Sequence, residues 1–120
     1  MKIKINIKAD TLTKNNRIYP KKLLKESFDK YIKENNLIYL DSDSVLKKDL
    51  TKVIGKIDNY SMDNKDILLE GKILDTPTSK IYEELLGDNL VVSPIGYGKV
   101  NDNNVMEDYH LVGFSVDMGN

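Results

Sequence analysis

The chain has 120 residues, with 18 Lys and Arg against 19 Asp and Glu, a single His, no Cys and a formal net charge of −1. That length suits one domain, 1–120, able to bury its own core, and 40% apolar with 31% charged residues excludes a disordered or membrane-spanning chain. Without cysteine there are no disulfides, no thiolate catalysis and no Cys-based zinc sites.

Ile3, Ile5 and Ile7 alternate with Lys2, Lys4, Asn6 and Lys8, which is the period of a half-buried strand. No run reaches the roughly eighteen apolar residues of a spanning helix, and this alternating start is not a signal-peptide core, so retention in the cytoplasm is expected. The polar stretch TLTKNNRIY leads to Pro20, well placed as a first helical residue because its missing N–H would be unpaired there. Leu24, Phe28, Tyr31 and Ile32 then fall at i, i+4, i+7 and i+8, predicting an amphipathic helix over 20–34 that Asn35-Asn36 stops.

Leu37 to Leu40 is a short β-prone run ending in the acidic cluster DSDS, and 45–51 is polar and ambiguous. Val53, Ile54 and Ile57 begin a strand that a loop around SMDNKD connects to Ile67, Leu69, Gly71 and Ile73, a second strand expected to pair with it antiparallel. Thr76-Pro77 supplies an N-cap and first helical residue. Ile81, Leu85 and Leu86 are the expected buried face, and Gly87 is the stop. LVVSPIGYGKV, the turn VNDNNV and YHLVGFSVDM complete the chain as two strands. With roughly six strands, two helices and no regular βαβ alternation, the expected class is α+β, a mainly antiparallel sheet or barrel with helices packed on it.

Ser93 ends an apolar run, and it becomes a nucleophile only with a base to take its proton. His110 is the one side chain whose ordinary pKa suits that task, and it lies 17 residues on, across the VNDNNV turn. In a hairpin of 90–100 with 105–116 the register decides whether the two meet. Gly96 and Gly98 would let backbone N–H groups approach a reacting carbonyl, and they equally suit a β-bulge or a curved strand. Pro94 points to an edge or a bulge, since proline cannot donate to a sheet ladder. Asp41 and Asp43 resemble half of an oxygen-ligand cation loop but lack its glycine and distal glutamate, so a solvated turn is expected and no metal or other cofactor is implied. Asp117 is read as a solvated carboxylate near a chain end.

Several segments, in order, resemble one family, the prohead core proteases of tailed phages, which are serine proteases with the herpesvirus-assemblin type of fold. NNRIYP at 15–20 is similar to the family's Asn-Gly-Arg-Ile-Tyr-Pro opening. ILDTPTSKI at 73–81 is similar to its strand-to-helix segment, VVSPIGYG at 91–98 to its Val-Ser-Ser-Arg-Gly-x-Gly strand, and LVGFSVD at 111–117 to its closing strand. The resemblance implies that Ser93 stands at the nucleophile. It also implies a break, because the family's Gly-Glu-Leu-Asp-His-Pro segment corresponds to 38–43, where Ser42 replaces the histidine. Pro94-Ile95 replaces the Ser-Arg that follows the nucleophile, and the acidic third member maps to Asp117 or, in the simplest alignment, to Ser115.

These readings predict a non-catalytic phage or prophage protein that acts by binding in capsid assembly or in a diverted role. The ending of the chain directly after the last strand fits that expectation. One alternative is an atypical serine protease of prohead maturation using Ser93 and His110, with Asp117. Another is a small inhibitor or ligand-sequestering protein directed at a host system. Binding is expected around Ser42, Tyr39, Gly96, Tyr97, Gly98 and Tyr109, with phage head proteins or a host protein as partner, in the host cytoplasm or the assembling virion. Residues 1–56 carry 14 basic against 7 acidic side chains and residues 57–120 carry 4 against 12, a polarity compatible with head-to-tail self-association. With Arg17 as the sole arginine, nucleic acid is not the expected partner.

Overall fold

The computed structural model describes residues 1–117. The chain order is β1 (Lys2–Ile5), α1 (Lys21–Glu34), β2 (Leu37–Tyr39), α2 (Ser42–Lys47), β3 (Val53–Asp63), β4 (Asp66–Ile73), α3 (Pro77–Leu86), β5 (Val91–Tyr97) and β6 (His110–Val116). The six strands close into a barrel in the order β1-β4-β3-β2-β6-β5, which leaves no sheet edge exposed. The expected antiparallel pairs β3·β4 and β5·β6 are present. Closure adds two parallel seams, β1 on β5 and β2 on β6, so the barrel is mixed.

Alternation decides which side chains fill it. Ile3 sits opposite Leu69 and Ile5 opposite Val92, while Phe114 pairs with Ile38 on one side and Pro94 on the other. Ile3, Leu69, Val92, Ile38 and Phe114 are all fully buried. Helix α1 lays Leu24, Ser27, Phe28 and Tyr31 against this core, the i, i+3, i+4, i+7 stripe of an amphipathic helix. Phe28 and Tyr31 meet Phe114 edge-on, with ring centroids 5.6 and 5.4 Å apart. The helix begins at Lys21 rather than Pro20, and the Lys21 N–H is satisfied by Asp10 Oδ1 at 3.0 Å.

Three expectations are corrected. The DSDS cluster opens a helix, α2: the Asp41 carboxylate caps it by accepting from the Ser44 N–H at 2.7 Å, and Lys48 ends it in the left-handed region at φ 53°. The chain therefore has three α-helices among the described residues, not two. The β3–β4 hairpin is tighter than the proposed SMDNKD loop, since pairing runs out to Asp63 opposite Asp66, with Asn64 at φ 56° in the turn. The buried face of α3 is also rotated. Thr76 caps this helix through its Oγ1, which accepts from the Ser79 N–H at 3.1 Å. From that start Ser79, Tyr82 and Leu86 face the barrel, and Ile81 and Leu85 are turned outward, 56% and 70% exposed.

Candidate functional site

Three segments converge beside Ser93. The parallel seam sets Lys4 opposite Val91 and Ile5 opposite Val92, and the Asn6 N–H donates to the Val92 carbonyl at 3.0 Å, which brings Asn6 alongside Ser93. On the other flank Ser93 faces Ser115, and the Asp117 N–H donates to the Val91 carbonyl at 2.8 Å. Because successive strand residues point to opposite faces, Val92 enters the core while Ser93 points out, into a cleft of about 400 Å³. Asn6, Ile7, Lys14, Tyr19, Ile95 and Asp117 also line this cleft.

One amide joins Ser93 to Asp117. Asn6 Nδ2 donates to Ser93 Oγ at 2.5 Å and to Asp117 Oδ2 at 3.0 Å. An ionised carboxylate only accepts, so the amide nitrogen, not its oxygen, must lie between the two. An amide nitrogen does not take up a proton at neutral pH, and here it already donates toward Ser93. Ser93 Oγ thus accepts the Asn6 N–H, and the Asn6 amide supplies no base for its proton.

His110 is elsewhere. It pairs with Tyr97 across β5·β6, and the two rings stack with centroids 5.1 Å apart and planes inclined by 27°. Tyr97 is four residues along β5 from Ser93, roughly 13 Å of strand at 3.3 Å per residue. His110, Tyr97 and Tyr109 line a second cleft of about 220 Å³ with Lys30 and Glu34 of α1, and among the described residues none lines both clefts. The hairpin therefore forms as expected, and its register brings Ser93 to Ser115 rather than to His110.

The remaining candidates are placed as follows. Ser42 is the exposed first residue of α2 and does not line the Ser93 cleft. Hydrogen bonds from Ser44 hold the Asp41 carboxyl below its ordinary range, and Asp43 pairs with Lys47 at 3.0 Å. These two carboxylates thus serve a cap and an i,i+4 ion pair in place of the solvated turn. Tyr39 is 2% exposed, and burial raises its hydroxyl pKa. Tyr109 is buried too, its pKa raised by desolvation first and then by Tyr19, whose ring it meets edge-on at 5.2 Å.

Gly96 lies at the register shift between Ile95 and Gly96, where a Cβ would strike the His110 carbonyl and the Tyr109 ring. At Gly98 it would strike the Asp108 carbonyl. Close packing at a bulge accounts for Gly96, and the close approach of the Asp108 backbone accounts for Gly98. Pro94 sits beside that bulge in a barrel that has no edge strand. Asp117, expected to be a free carboxylate at a frayed end, instead holds the Asn6 amide.

Asn6 was not singled out in the sequence because it occupies one of the polar, outward slots of an alternating strand. Its parity with Ile3, Ile5 and Ile7 indicates the outer face. Only the β1·β5 pairing shows what stands beside it.

No family model matches the chain, and no curated protein matches it. Among solved structures it is similar to the capsid assembly protease gp21 of bacteriophage T4, with a TM-score of 0.74 over 97% of this chain and 80% of that one, at 20% sequence identity. The fold is prohead-protease-like. At that identity the likeness is one of architecture, and it agrees with the closed barrel and flanking helices found here. Among the described residues no helix is long and apolar enough to cross a membrane.

Proposed function

We propose that the chain is a phage or prophage protein that acts in capsid assembly by binding, on a protease-like barrel that does no proteolysis. The observation that carries this reading is the environment of Ser93: its oxygen receives the Asn6 N–H, and the sole histidine stands in a different cleft. The likeness to a protein described as a capsid assembly protease supports the link to head assembly. Phage head proteins are the partners this reading requires, and self-association is compatible with the opposed charges of the two halves of the sequence.

The test is co-expression with the head-shell and scaffold proteins of the same phage, followed by gradient sedimentation and gel analysis of the head proteins. The parent and Ser93→Ala should sediment equally with assembling heads, and the head proteins should stay intact. Cleavage of a head protein that disappears in Ser93→Ala would overturn the reading.

One observation favours a second reading, a ligand-binding protein diverted from head assembly. The cleft at His110 offers the stacked Tyr97–His110 pair beside Lys30 and Glu34. A tight complex with a protein other than a head protein, lost in Tyr97→Ala, would favour it.

A further inference from the structure

Ser93 and Asp117 are each one hydrogen bond away from the same nitrogen, with an 87-residue separation between Asn6 and Ser93 and a 111-residue separation between Asn6 and Asp117. A hydroxyl, a nitrogen and a carboxylate in that order are the parts of a hydrolytic relay, in which the middle nitrogen takes the serine proton and the carboxylate stabilises the cation that forms. Here both ends are in place. The middle is held by a group that donates and does not accept.

We infer that Asn6 is the positioning residue that keeps Ser93 inert, and that a base placed at residue 6, between Ser93 and Asp117, makes Ser93 a nucleophile. This rests on the non-catalytic reading of the parent chain. The site lies on the outer face of the barrel, where the amide reaches Ser93 from the end of β1, and the cleft opens in front of it. A side chain larger than asparagine at position 6 therefore projects toward open space, not into the core. His110 cannot take the part without a change of register, because it is fixed opposite Tyr97.

The experiment measures reaction of the protein with a fluorophosphonate probe by intact mass. In that reaction Ser93 Oγ forms a bond to phosphorus, the P–F bond breaks, fluoride leaves, and the hydroxyl proton passes to the base. The parent, Asn6→His, Asn6→His with Ser93→Ala, and Asn6→Asp are compared. Asn6→Asp matches the native side chain in shape and replaces the donor by an acceptor, so it serves if the imidazole does not fit.

Asn6→His should label on the order of a hundred-fold faster than the parent, the lower range for a positioned general base. Its rate should rise with pH through the imidazole range near 6.5. The label should be absent when Ser93 is alanine. Asn6→Asp should also exceed the parent, its base being one carboxylate of a like-charged pair with a raised apparent pKa. A merely structural asparagine would leave no such pH profile.

If Asn6→His and Asn6→Asp are both folded by thermal melting and both as unreactive as the parent, the inference is wrong. If the parent itself labels at Ser93, the non-catalytic reading fails instead.

Discussion

Asn6 and Ser93 are 87 residues apart in sequence and 2.5 Å apart across the parallel seam of β1 and β5. That contact exists only because the barrel closes: β1 is the first strand, β5 the fifth, and their pairing is the last seam in the strand order. The hydrogen bond on the serine is thus set by topology and not by its neighbours in the chain.

Gly113 on β6 is the floor on which α2 docks. A Cβ there would stand 2.7 Å from Val45 Cγ1. Gly113→Ala should destabilise the protein by about 1–3 kcal/mol through overpacking. The double variant with Val45→Ala should lose less than the sum of the two single losses, as contacting residues do. Urea denaturation of the four proteins measures this coupling.

Gly96→Ala separates packing from chemistry at the β5 bulge. The new Cβ would meet the Tyr109 ring at 2.7 Å as well as the His110 carbonyl. A loss of about 1–3 kcal/mol is expected, with the reactivity toward a serine probe equal to the parent's. Denaturant midpoints and intact mass of the same samples check both halves of this statement.

Leu85 and Leu86 are adjacent on α3 and should behave oppositely. Leu85 is 70% exposed, whereas Leu86 packs against the core. Leu85→Ser should change stability by no more than about 0.5 kcal/mol, and Leu86→Ala should cost clearly more, toward the 2 kcal/mol at the lower end for core truncations. Equal losses in thermal or urea melts would return α3 to the orientation expected from its sequence.

Asp41 makes the cap of α2 pH-dependent. Hydrogen bonds from Ser44 depress its folded-state pKa, so the stabilisation is present above the unfolded carboxyl range near 3.9 and is lost as pH falls through the lower folded value. Asp41→Asn keeps an accepting oxygen without the charge. The difference in Tm between parent and variant should be constant from pH 7 to 5 and shrink as the pH is taken toward 2.

Much of the barrel was legible in the sequence. Alternation marked β1 and β4, the 3.6-residue period marked α1, and Thr76-Pro77 with Gly87 bounded α3, because these signals are local and repeat within one element. Helix α2 was missed: six residues carry too little periodicity, and its one clear signal, the capping Asp41, was read as part of a solvated turn. The face of α3 was misread because Ile81 and Leu85 are the more apolar stripe, while the barrel is met by Ser79, Tyr82 and Leu86.

At the site Ser93 was visible by resemblance and His110 by being the sole histidine, yet their relation depends on register, which alternation alone leaves open by steps of two residues. Asn6 and Asp117 came together through seams formed by strands far apart in sequence. Nothing local announces such a contact.

Whether Ser93 has a base is read from the intact mass of the purified parent after exposure to a fluorophosphonate probe, beside Ser93→Ala. Both proteins should keep their unmodified mass across pH 6 to 9. A parent mass increased by one probe adduct, absent from Ser93→Ala, would contradict it.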